Sequence, residues 1–154
     1  MTWNVDEVKH LLQQGDALNR AVNVLANGLE TKNTLSQYLI DGITYKSLAD
    51  GCGFTVTLNG ITLLPRYQQI RGSAGSYPKL LAKIELCYPT DQGKCGEVAF
   101  LILLDTQGNF SLDGSTEFRY TVAGSPDNSS QFAQYRLSLA IAHALHTKLP
   151  IFGA

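Results

Sequence analysis

The sequence predicts an α+β fold. It consists of a long N-terminal helix, an antiparallel β-meander of about seven or eight strongly curved strands, and a C-terminal helix packed in the concave face of the sheet. Three observations carry that expectation. A 3.5-residue apolar repeat fills the N-terminal stretch, an alternating pattern punctuated by two-residue turn signals fills the middle, and a second helical pattern closes the chain. At 154 residues the chain has the length of one ordinary domain, so residues 1–154 are read as a single unit.

The first helix has a well-specified start, because Asn4 can cap it, Glu7 can close a capping box, and Trp3 can staple onto Val8. Val8, Leu11, Leu18, Val22, Leu25 and Leu29 then form one apolar stripe, interrupted at Gly15, and Asn27-Gly28 or residues 31–33 should end it. The flanking charges are too few to specify a coiled coil, so the stripe is expected to dock on the sheet, with pairing between subunits as the alternative.

Asp41-Gly42 and Asn59-Gly60 are two-residue hairpin signals. They pair Ile40 with Ile43 and Leu58 with Ile61, which keeps Tyr38, Ile40, Ile43 and Tyr45 on one face and Phe54, Val56, Leu58, Ile61 and Leu63 on one face. Leu80, Ala82, Ile84, Leu86 and Tyr88 alternate next. The run Gly96 to Leu104 is oily on both pleat faces, which predicts a central strand covered on both sides. Phe118, Tyr120 and Val122 mark the last strand, and a three-residue loop at Asp113-Gly114 would set Phe110 opposite Phe118. The final helix, roughly 130–148, is capped from Ser125 to Ser129 and stopped by Pro150. Phe132, Tyr135, Leu139 and Ala142 fall on one of its faces and Leu137, Ile141, Ala144 and Leu145 on the other, as suits a helix lying in a curved sheet beside a cavity. Phe100, Ile102, Tyr120, Leu139 and Leu145 are expected in the core.

Charged residues make up only 16% of the chain, against roughly 25% for soluble proteins. A surface that repels its own copies so little favours self-association, most simply a twofold dimer, or cover by a protein partner. The start shows no basic region followed by an apolar stretch, and no apolar run approaches the ~20 residues of a membrane span, so no membrane association and a cytoplasmic location are expected. Cys52, Cys87 and Cys95 are odd in number and form no C-x-x-C pair, which argues against a disulfide framework or zinc knuckle. Cys87 and Cys95 flank a loop that could bring them face to face, and are expected to pair only under oxidation.

No nucleotide loop, nucleophile elbow or metalloprotease motif is present, so no cofactor or metal is expected and the balance leans away from an enzyme. Residues 47–58 faintly echo a helix-turn-helix, but Gly51 falls inside the first helix, the spacing after Gly53 is one residue short, and Phe54 to Leu58 alternates like a strand. His143 and His146 stand three apart on the last helix, on the side of Tyr135, and these three are the candidate ligand-binding residues. Charged histidines near a helix C-terminus also suit the dipole. Glu97 and Asp105 bracket the central run and could act as acid or base only if a cavity opened onto them.

Between Gly51 and Ile84 there is no acidic residue, while Arg66, Arg71, Lys79 and Lys83 give +4 in a chain of net charge -1. With Tyr67 and Tyr77 for stacking and a Gly- and Ser-rich loop at 72–76, these residues are the candidate partner- or anion-binding set. The sequence therefore predicts a noncatalytic interaction or adaptor module that works as an oligomer or through a protein partner. Two alternatives stay open. One is a small-ligand binder or enzyme with a cavity between sheet and last helix, and the other is a nucleic-acid or polyanion binder through the basic segment 66–83, possible but not favoured.

Overall fold

The computed structural model describes residues 4–30, 40–72, 79–115, 117–122 and 129–153, the side chains of 129–131 excepted. Helix α1 (Val5–Glu30) is followed by strands β1 (Ile43–Ser47), β2 (Phe54–Leu58), β3 (Ile61–Gly72), β4 (Lys79–Pro89), β5 (Cys95–Leu104), β6 (Asn109–Leu112) and β7 (Tyr120–Thr121), and then by helix α2 (Ser129–Thr147). The seven strands pair antiparallel in chain order and curve into a half-barrel.

Cross-strand registers such as Tyr45↔Val56, Val56↔Leu63, Tyr67↔Ile84, Ile84↔Ile102, Ile102↔Leu112 and Phe110↔Tyr120 place one side-chain set on a single face. Both helices lie on it. The Tyr67 hydroxyl donates to Asn19 Oδ1 at 2.7 Å and Gln69 Nε2 donates to the Gly15 carbonyl at 3.1 Å, which holds α1 over β3. Tyr45 on β1 shares a 2.6 Å hydrogen bond with Ser138 on α2. Burial pushes the Tyr45 hydroxyl well above its ordinary range, so it stays neutral there. Small residues let these elements close: a Cβ on Gly15 would press on the Gln69 amide, and one on Gly28 would collide with Gln134 of α2.

This arrangement corrects the expectation that β5 is covered on both sides. Ile102, Leu104 and Phe100 are buried under the helices, but Leu101 and Leu103 on the reverse face are only half-buried, with no helix packed on them among the described residues. The turn at Asp113-Gly114 leans over Leu101 instead, and Lys83 stands opposite Leu103, where its aliphatic stem can shield the leucine.

The first helix starts as expected, with Asn4 Oδ1 accepting the Asp6 amide at 2.8 Å, while Trp3 and its staple lie outside the described residues. Leu18, Val22, Leu25 and Leu29 dock on the sheet, each contributing about 1.5–3 kcal/mol by burial. Val8 is exposed and Leu11 half-buried, and Val5 and Leu12 on the first turns of α1 are exposed as well. At its other end Glu30 accepts from both the amide and the hydroxyl of Ser47, tying the helix to β1.

The Asn59-Gly60 turn forms as predicted, pairing Leu58 with Ile61 and putting both turn residues at positive φ. The strand expected to end at Ile40 lies, apart from that residue, within 31–39, outside the described residues; Ile40 itself is not in a strand, and Ile43 pairs with Leu58. The last hairpin is longer than expected: Phe110 pairs with Tyr120, not Phe118, a two-residue shift that keeps the same face inward. In α2, Leu137, Ile141 and Leu145 are buried, whereas Leu139 is exposed and Tyr120 half-buried, contrary to the expectation of core positions for both. One face of α2 fills the concavity. The other stays open.

Candidate functional site

The open face of α2 is the ridge between two grooves. The larger, about 590 Å³, runs between α2 and the β2–β3 turn and is lined by Leu58, Ile61, Leu139, His143, His146 and Leu149. The Asn59-Gly60 turn builds one wall by holding Leu58 and Ile61 opposite each other, and the helical spacing of Leu139, Ala142, His143 and His146 builds the other. The floor is apolar, with the two imidazoles and Asn59 as its polar members. Beyond Leu149 in the chain, Ile151 is 80% exposed and Phe152 fully exposed.

The smaller groove, about 430 Å³, lies on the other flank, where Val98, Asp113, His143, Thr147 and Lys148 meet. A β-bulge explains its shape. Leu86 pairs with Phe100 but Cys87 with Val98, so Ala99 is the extra residue, and Lys148 Nζ donates to the freed Val98 and Ala99 carbonyls at 3.3 and 3.5 Å. That contact pins the end of α2 to β5.

Of the candidate ligand residues, the structure brings His143 and His146 together on the rim of the larger groove. Tyr135, two turns earlier on α2, lines neither groove. Among the described residues no group of three or more His, Cys, Asp or Glu side chains is placed to hold a metal ion.

The basic set separates in space. Arg66 Nε bonds Glu85 Oε1 at 3.0 Å and Lys83 Nζ lies 3.7 Å from the same oxygen, because β3 and β4 set Arg66 directly opposite Glu85. Tyr67 is turned toward α1, its hydroxyl donating to Asn19 and accepting from Gln69. Arg71 and Lys79 are exposed at the far end of that hairpin, and Tyr77 lies outside the described residues.

The Arg66 hydrogen bond holds the Glu85 carboxyl below the usual carboxylate range, against a smaller opposite push from burial. A depressed folded-state pKa contributes stability that is present above the unfolded value and lost as pH falls through the folded one. Glu85→Gln should therefore lower the urea midpoint at neutral pH, with the difference from wild type shrinking between about pH 5 and pH 3. A difference that stays constant or grows on acidification would show that the ion pair does not stabilise the sheet.

Neither carboxylate that brackets β5 lines either of the two grooves. Glu97 is exposed, while Asp105 is buried and holds the β5–β6 turn, its Oδ1 accepting the amides of Gln107 and Asn109 at 3.0 and 2.9 Å. All three cysteines are free thiols. Pro89, not Cys87, is the partner of Cys95 in the ladder. Cys95 Sγ lies 3.5 Å from the Pro65 carbonyl, and burial, with Cys95 beside it, pushes the Cys87 thiol up to about 11.

Leu58, Ile61 and Leu149 as groove-lining residues, and Ile151 and Phe152 as exposed ones, were not singled out from the sequence. The one signal available was an apolar Ile-Phe pair placed just after a helix-stopping proline. Among the described residues, no helix is long and apolar enough to cross a membrane. Searches of protein-family models, curated proteins and solved structures find nothing that matches this chain.

Proposed function

We propose that this protein is a noncatalytic interaction module that works as an oligomer or through a protein partner, and that its docking surface is the groove between α2 and the β2–β3 turn. One observation carries this: a groove of about 590 Å³ with an apolar floor is walled by the exposed side chains of Leu139 and Leu149, and Ile151 and Phe152, which follow in the chain, are exposed as well. In a chain of only 16% charged residues, so much uncovered apolar surface is of the kind that marks an interface. Its polar rim of Asn59, His143 and His146 would orient an apolar segment without opposing it by charge.

Leu139→Asp tests the proposal, because Leu139 is exposed and its replacement leaves the core intact. Light scattering with native mass spectrometry should find wild type assembled, with itself or with a copurified protein, and the variant monomeric at an unchanged melting temperature. Identical masses for the two proteins would overturn it.

A second reading is favoured by the same volume, which lies within the ~300–1,000 Å³ range of small-molecule sites. In it, His143 and His146 hold a small ligand, and native mass spectrometry would show an adduct that His143→Ala with His146→Ala loses. The polyanion alternative rests on Arg71 and Lys79, since Arg66 and Lys83 share Glu85.

A further inference from the structure

We infer that the groove of one chain receives the Ile151–Phe152 segment of a second copy of the same chain, reciprocally across a twofold axis. This rests on the groove being the docking surface, and it names the occupant.

Groove and ligand are neighbours along the chain, Ile151 and Phe152 following the groove residue Leu149 by two and three positions. The segment leaves α2 at Leu149, which is itself a wall of the groove, passes Pro150, and turns at Phe152 and Gly153. Phe152 is fully exposed and Ile151 is 80% exposed, so the segment does not fill its own groove. A chain that carries both an apolar cleft and, two to three residues beyond its wall, exposed apolar side chains can be self-complementary, which is what a twofold interface requires. No residue from 149 to 153 is charged, and the groove lining has no Asp, Glu, Lys or Arg, so two copies approach without like-charge repulsion.

The areas are adequate. One buried aromatic side chain removes ~150–250 Å² from water. Two copies that each bury Phe152, Ile151, Leu149 and the facing walls reach on the order of the ~1,200 Å² that a specific interface needs. Phe152, large and central to the contact, is the expected anchor. The first turns of α1 offer Val5, Val8 and Leu12 as a further exposed apolar stripe, which borders neither of the two grooves.

The test uses two surface variants of the full chain, Phe152→Asp with a disabled segment and Leu139→Asp with a disabled groove. Wild type should be a dimer by light scattering, and each variant should be weakened at least tenfold in self-association. An equimolar mixture of the two variants should regain a heterodimer in native mass spectrometry, since one complete segment–groove contact remains in it. A labelled peptide spanning Lys148–Gly153 should bind Phe152→Asp protein and not Leu139→Asp protein. If Leu139→Asp abolishes assembly while Phe152→Asp keeps the wild-type mass, the groove has another occupant: the inference fails and the proposed function stands. A monomeric wild type that does not bind the peptide overturns the inference. Assembly untouched by either variant overturns both.

Discussion

Replacing Ile102 by alanine is expected to cost about 2–5 kcal/mol, read as a lowered midpoint in urea unfolding with an unchanged slope. Ile102 is fully buried in β5, with Ile84 opposite it on β4 and Leu112 opposite it on β6. These neighbours belong to hydrogen-bonded strands and cannot collapse into the space, so the lost side chain leaves a cavity as well as a lost transfer free energy. The equivalent truncation on the reverse face, Leu103→Ala, should cost markedly less, because Leu103 is only half-buried and has no helix over it. Equal losses at the two positions would mean that the sheet is covered on both faces. A loss below about 1 kcal/mol at Ile102 would remove β5 from the core.

Asp105→Ala should be nearly as damaging, roughly 2–4 kcal/mol, without any catalytic meaning. Its carboxylate accepts two backbone amides of the β5–β6 turn and also the Asn109 side-chain amide, at a residue 7% exposed. Truncation leaves those donors without an acceptor where water reaches poorly, and charge-assisted bonds of this kind are the strong ones. Asp105→Asn keeps one acceptor oxygen and should recover a good part of the loss. If both variants kept wild-type stability, Asp105 would have no structural role and its candidacy as an acid or base would reopen.

These two residues show where a single sequence is informative. The meander was legible because turn chemistry and side-chain alternation are local: Asn59-Gly60 pairs Leu58 with Ile61, and the faces then follow with a period of two. The covering of β5 was not legible, since an oily run shows that both faces avoid water but not what shields each one. Here a helix shields one face, while a turn and an opposed lysine shield the other. The charge segregation of segment 51–84 is real along the chain but is reduced in space, because Glu85, one residue past that segment, stands directly across the ladder from Arg66 and is shared with Lys83, which leaves Arg71 and Lys79 exposed at the far end of the hairpin.

The site divides in the same way. His143 and His146 were found from helical spacing alone, which is a local property. The other wall of the groove comes from a hairpin about eighty residues earlier in the chain, and nothing local to Leu58 or Ile61 indicates that they will border a groove beside α2. Leu139 was assigned to the core because it is apolar and periodic. A helix with two apolar faces can bury one and offer the other, and periodicity does not tell them apart.

The most direct test of the docking surface is photo-crosslinking from α2, with a photoreactive residue placed at position 139 and a control at Gln68, which is exposed on the reverse face of the sheet. The account predicts intermolecular products from position 139 in high yield, with the crosslinked residue placed in the groove's occupant by mass spectrometry, and little product from position 68. Equal yields from the two positions, or none from position 139 at concentrations where the protein is assembled, would contradict it.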